Sequence, residues 1–128
     1  MKTVLFFFIS LGFFKSEASC PFEGMSVGAV EDSSDFISSE SKWAPFPEPL
    51  YLKYEARLGG LPLNECKESV IANSIQVKKT GKVYTAFYTN DDTCDGGNSY
   101  GMIIEGTEPR ADKVIATIED SDIVCINN

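Results

Sequence analysis

The clearest pattern of apolar and polar positions runs from residue 74 to residue 90, Ser-Ile-Gln-Val-Lys-Lys-Thr-Gly-Lys-Val-Tyr-Thr-Ala-Phe-Tyr-Thr-Asn. Period-two alternation on either side of Thr80-Gly81 predicts two antiparallel strands folded back on a tight turn, with Gly81 supplying the positive φ that such a turn needs. A two-residue connection sets Val77 opposite Tyr84, Ile75 opposite Ala86 and Asn73 opposite Tyr88, so one face is mostly apolar. The other face carries Ser74, Gln76, Lys78 and Thr85 around Val83 and Phe87 and reads as half wetted.

The same period extends the picture along the chain. Leu50, Leu52, Tyr54, Ala56 and Leu58 alternate with Tyr51, Lys53, Glu55 and Arg57, which predicts a half-buried strand ended by Gly59-Gly60. Residues 64 to 73 fit two patterns. Asn64 suits the cap of a short helix, yet Val70-Ile71 leads into the hairpin as one bent strand, and the strand reading is preferred. Strands follow over Tyr100 to Glu105, Lys113 to Glu119 and Ile123 to Ile126, with turns at Gly106 to Asp112 and Asp120-Ser121-Asp122. Six strands with short connections predict an all-β domain, a small antiparallel meander forming a barrel or sandwich.

Upstream, residues 21 to 42 are rich in Ser, Glu, Asp and Gly without a sustained apolar period, and residues 19 to 49 read as an extended N-terminal arm. Asp35-Phe36-Ile37 suits a single helical turn within it. In Trp43-Ala44-Pro45-Phe46-Pro47-Glu48-Pro49 the alternate prolines enforce extended geometry. The segment leads stiffly into the next strand, with Trp43 plugging one end of the core. Its other reading is a recognition segment.

Met1-Lys2 followed by the apolar run Val4 to Phe14 has the form of a secretory signal peptide, and Ser16 and Ala18 are the small residues that cleavage after position 18 requires. That run is short of the ~20 residues a membrane span needs. The expected product, residues 19 to 128, is one secreted, extracellular domain. Losing Lys2, Lys15 and Glu17 takes the net charge from −8 to −9. Such a balance repels phosphate backbones and anionic lipid, so neither nucleic acid nor a membrane surface is an expected partner.

Four cysteines, at 20, 66, 94 and 125, all follow the leader, and an even count in a small exported chain predicts two disulfides. Three pairings are open. Extending the hairpin register puts Cys66 opposite position 95, one step from Cys94, and so favours Cys66 with Cys94 and Cys20 with Cys125.

There is no histidine. Ser-His-Asp and Cys-His catalysis and histidine zinc sites are excluded, and oxidised cysteines leave no thiol nucleophile. The expectation is a protein that is not an enzyme and carries no cofactor or metal. The loop Asp91 to Ser99 gathers oxygen donors beside two glycines, but aligning Gly96 with the EF-hand glycine puts Met102 where the bidentate Glu must stand. A looser calcium site on Asp91, Asp92 and Asp95 remains beside the plainer reading of a solvated loop.

The lone Trp43 before Tyr51-Leu52-Lys53-Tyr54, then Cys66, the Thr-Gly hairpin with Val-Tyr-Thr-Ala-Phe-Tyr, and the late Val114-Ile115, Asp120 and Cys125 together resemble the secreted lipocalins, in particular the divergent salivary type. The resemblance covers residues 20 to 126. It implies an eight-stranded barrel holding a small apolar or amine ligand. On that reading Leu52, Tyr54, Ile75, Val77, Tyr84 and Tyr88 point inward to the ligand; their other role is core packing. The second functional reading is a secreted protein-interaction module, a protease inhibitor or effector, that presents Pro45 to Pro49 or the Asp91 to Ser99 loop to an extracellular protein. The cystatin hairpin motif Gln-x-Val-x-Gly is absent.

Overall fold

A computed structural model describes residues 20–39, 41–58, 63–66, 68, 70–89 and 98–126. The proposed leader, the Asp91 to Asp95 candidates and Cys94 lie outside these residues. The described chain runs α1 (Val27–Asp32), β1 (Phe36–Ser38), β2 (Lys42–Ala44), α2 (Glu48–Leu58), α3 (Leu63–Cys66), β3 (Val70–Val77), β4 (Val83–Tyr88), β5 (Gly101–Glu105), β6 (Val114–Glu119) and β7 (Asp122–Cys125). All strands pair antiparallel in one curled sheet of order β1-β3-β4-β5-β6-β7, with β2 also on β3. The meander from β3 to β7 matches the strands read from period-two alternation.

The hairpin keeps its faces and shifts its register. Ile75 pairs Tyr84, Asn73 pairs Ala86 and Ile71 pairs Tyr88, two residues from the expected partners. The connection has four residues, Lys78 to Gly81, closed by Gly81 N–H donating to the Val77 carbonyl at 2.7 Å and Val77 N–H donating to the Lys82 carbonyl at 2.9 Å. Gly81 does take φ +78. Because side chains alternate with period two, a two-residue slip leaves every one on its intended face, and Asn73, Ile75, Val77, Tyr84, Ala86 and Tyr88 are all buried.

The stretch expected as a strand over Leu50 to Leu58 is instead the helix α2. Its apolar residues satisfy two periods at once. Leu50, Tyr51 and Tyr54, spaced i, i+1 and i+4, are buried, whereas Leu52 is 55 % exposed and Ala56 faces solvent. Pro49 falls in the first turn, where no N–H is needed, and the Pro47 carbonyl accepts from Leu50 and Tyr51 N–H at 3.1 and 2.9 Å. Glu48 in the first turn and Arg57 in the last oppose the helix dipole favourably. Residues 63 to 66 form one short helix rather than the start of a bent strand, so the register argument does not reach Cys66.

The N-terminal arm is more than an extended lead. Ser26 caps α1 by accepting from Ala29 N–H at 3.1 Å. Around its start, Ser26 bridges Asp122 at the head of β7: Ile123 N–H donates to the Met25 carbonyl and Val27 N–H to the Ser121 carbonyl, both at 2.9 Å. After it, β1 pairs β3 at the opposite side of the sheet. Phe36-Ile37, the site of the suggested helical turn, is strand.

That double attachment dictates the curl. From the chain beside β7 to β1 there are six strand spacings, about 29 Å if flat at ~4.8 Å each. Residues 26 to 36, six of them helical, reach about 23 Å at most. The sheet must bend toward the arm. Its concave face is then filled by Phe22 and Val30 against Ile71, Ile75, Tyr84, Tyr88, Ile103, Ile118 and Ile123. Phe22 is fully buried, 5.3 Å from both Phe36 and Tyr84 between ring centroids. The convex face, expected to be half wetted, is dry at its centre because α2 covers Phe87, Met102, Ile104 and Val114 with Leu50, Tyr51 and Tyr54.

Cys20 and Cys125 are joined, as the pairing argument expects, and lock the arm to β7. The expected partner of Cys66 lies outside the described residues, and none of the described cysteines is free. Gly101 is demanded by packing, since a Cβ there would stand 1.9 Å from the Phe87 carbonyl oxygen. The β6–β7 turn takes positive φ at Asp120 and Ser121, 53° and 70°. Ser121 is held by exchange with Ser99, whose N–H donates to Ser121 Oγ and whose carbonyl accepts from Ser121 N–H, both at 2.9 Å.

Two measurements test this account. Gly101→Ala should lower the unfolding free energy by roughly 1 to 3 kcal/mol or prevent folding; a wild-type denaturation midpoint would contradict the close approach of β4 and β5. Replacing Cys20 and Cys125 together by Ser opens a loop of 105 residues and should cost about 4 to 5 kcal/mol in the chain-entropy picture, read as a lower midpoint in urea.

Candidate functional site

The six residues expected to line a ligand chamber separate into three environments. Ile75, Val77, Tyr84 and Tyr88 belong to the concave core, Tyr54 belongs to the convex core under α2, and Leu52 lies on the outer side of α2 in solvent. Only the first four come together. A hollow between two of them, Ile75 and Tyr88, and the arm residues Val27 and Val30, lined also by Ser38, Asn73 and Ile103, has a volume of about 20 Å³. This suffices for one water molecule. Small-molecule sites run to hundreds of Å³.

The rim of that hollow is polar. Asn73, 5 % exposed, accepts from Ser39 Oγ at 3.4 Å, and the same Ser39 oxygen accepts from Ser74 N–H at 2.9 Å. Burial pushes the Tyr88 hydroxyl above its ordinary value, opposed by a hydrogen bond from Asn73 and reinforced by the nearby Glu31 carboxylate. Burial likewise raises Tyr84, with Glu105 adding to the shift. Both phenols are held neutral and offer no poised base.

Among the described residues, two larger hollows lie outside the curled sheet. One, of about 480 Å³, sits at the hairpin end between Pro21, Asp35, Phe36, Val77, Lys78 and Lys79. Its charges are mixed. The other, of about 430 Å³, is built from Pro45, Phe46, Pro47, Glu48, Tyr51 and Glu68. Here the prolines stiffen the approach to α2, and Phe46 is wedged edge-on against Tyr51, Tyr54 and Phe87 at centroid distances of 6.5, 6.4 and 6.3 Å. The hollow therefore has fixed aromatic and proline walls and two carboxylates at its rim.

Next to it along the chain, Trp43 is 56 % exposed on β2 rather than plugging the core. Its partner in the register is Ile71, at the margin of the concave face. The sequence reads Pro45 to Pro49 first as a stiff lead and only second as a recognition segment; the strand pattern over Leu50 to Leu58 conceals the placement of Tyr51, and no pattern in the sequence associates Glu68 with it. Among the described residues no group of three or more His, Cys, Asp or Glu side chains is placed to hold a metal.

The tyrosines set a pH dependence. A folded phenol with a raised pKa keeps a proton that the unfolded chain releases, so stability from this source is complete below about pH 9 and declines as pH rises through and beyond 10. Tyr84→Phe should flatten that decline in unfolding midpoints measured from about pH 8 to 11; equal slopes in the two proteins would contradict the assignment.

Compared with known proteins, the chain matches no family model, no curated protein and no solved structure.

Proposed function

We propose that this protein is an exported, non-catalytic recognition protein that binds another extracellular protein with the surface around β2 and the Pro45 to Glu48 segment. The observation that carries this reading is the filled interior. Phe22 and Val30 occupy the concave face, and among the described residues the hollow beside Val30 and Tyr88 holds only about 20 Å³, which favours an external contact surface. There, the edge of the sheet presents the chain's one tryptophan, the residue type that most often dominates binding energy at protein interfaces. The following turn and helix start are rigid before any partner arrives, which lowers the ordering cost of association.

The Cys20–Cys125 bridge fits an oxidising compartment, and among the described residues no helix is long and apolar enough to cross a membrane. A ligand inside the barrel, the competing reading, has to displace the arm. Native mass spectrometry of the exported protein should retain a stoichiometric protein partner. Trp43→Ala should weaken that complex by about tenfold or more while leaving the unfolding midpoint near wild type. A retained small molecule with no protein partner overturns the reading.

A further inference from the structure

We infer that the Tyr88 hydroxyl is a positioning group: through Ser41 it holds the entry of β2, and with it the Trp43 indole, in one place on the edge of the sheet. The inference rests on the recognition reading above for the use made of Trp43, while the link itself is measured on the protein without a partner.

It starts from a polar residue on an apolar face. Ile71, Asn73, Ile75 and Val77 alternate onto the concave side of β3, and Asn73 is 5 % exposed among them. A buried amide costs stability unless its donors and acceptors are used. Its partners come from the point where the ladder along the edge breaks. Between β1 and β2 the register against β3 changes by one, so regular backbone pairing does not run on from one strand to the next. Side chains take its place: Ser39 Oγ donates to Asn73 Oδ1 at 3.4 Å and accepts from Ser74 N–H at 2.9 Å. Asn73 and Ser41 both donate to the Tyr88 hydroxyl, and that hydroxyl donates to the Glu31 carboxylate on α1. A phenol has one donor and two acceptor sites, and all three are used.

The register carries this anchor to the indole. Trp43 pairs Ile71 and Ile71 pairs Tyr88, so the three side chains stand in one row on one face of β2, β3 and β4. Ser41, two residues before Trp43, falls on the same face. β2 has three residues and among the described residues pairs only with β3, so few ladder bonds hold it. Pro45 fixes φ where the chain leaves β2, and the bond from Ser41 to Tyr88 fixes the chain where it enters. Tyr84, the other buried tyrosine of the concave core, packs on Phe22 and stands in a row with Ile75 and Ser38, so it shares the burial of Tyr88 but leads to β1 instead of β2.

The test is amide hydrogen exchange by NMR, with the fluorescence anisotropy of the single tryptophan as a second readout. In Tyr88→Phe and in Ser41→Ala the Lys42 and Ala44 amides, which pair with β3, should exchange about fivefold faster or more than in wild type, and the Trp43 anisotropy should fall. Ser41→Thr keeps the hydroxyl and should retain wild-type rates. Tyr84→Phe should leave both amides unchanged. A general loss of stability would instead speed the slow core amides, such as those of Ile103 and Ile118, and leave the more readily opened edge as it was. Wild-type rates at Lys42 and Ala44 in Ser41→Ala, or equal acceleration in Ser41→Thr, overturn the inference. Ser41 is exposed, so its two variants decide the matter even if Tyr88→Phe fails to fold. If the link fails while a Trp43-dependent protein complex persists, the positioning role falls and the recognition reading stands; if the link holds but no protein complex forms, the reverse is true.

Discussion

An antiparallel sheet that curls without closing has two open edges and a trough of apolar side chains, and residues 20 to 38 deal with both problems in one pass. The segment bridges the head of β7 at Ser26, crosses the trough as α1, and pairs with β3 through β1. It is too short to reach across a flat sheet, so its length sets the curvature, and Phe22 and Val30 fill the volume that the curvature encloses. The Cys20–Cys125 bridge anchors the start of this crossing to the last strand. Without the arm, the concave face would expose a continuous row of Ile, Tyr and Ala side chains, a surface that invites aggregation or edge pairing.

The sheet is therefore a middle layer. The arm lies on the concave side and α2 on the convex side, which is why β4 and β5 are buried on both faces while β3, nearer the margin, still alternates buried and half-buried positions. Where the sheet runs out from under these covers, at β1 and β2, Ile37 and Trp43 are left in solvent on opposite faces of the edge. Between those two short strands the register against β3 changes by one. The Ser39 hydroxyl takes the Ser74 N–H that a regular ladder would have given to a carbonyl. Such a step blunts an edge against indiscriminate strand addition.

This arrangement bears directly on what the molecule can do. In the proposed recognition role the exterior of this curled half-barrel would carry the contact, and its features there are the exposed indole of Trp43 and the groove lined by Phe46, Glu48, Tyr51 and Glu68. Burial keeps Tyr84 and Tyr88 neutral within the concave core.

The sequence by itself determined the β3 to β7 meander, the positive φ at Gly81 and the apolar face of the hairpin; it favoured Cys20 with Cys125 through a register that does not extend to Cys66. Period-two alternation and turn residues are local signals, and a two-residue slip in register cannot move a side chain to the other face. Only the tertiary structure decided that Leu50 to Leu58 is a helix, because Leu50, Tyr54 and Leu58 fit the period of a helix as well as that of a strand and the choice was made by which side chains found an apolar surface to cover. It also decided that Trp43 faces solvent and that Glu68 joins Phe46, Glu48 and Tyr51 around one groove. Those are outcomes of where the edge of a curled sheet falls in space, a property of the whole assembly of strands that no local run of residues records.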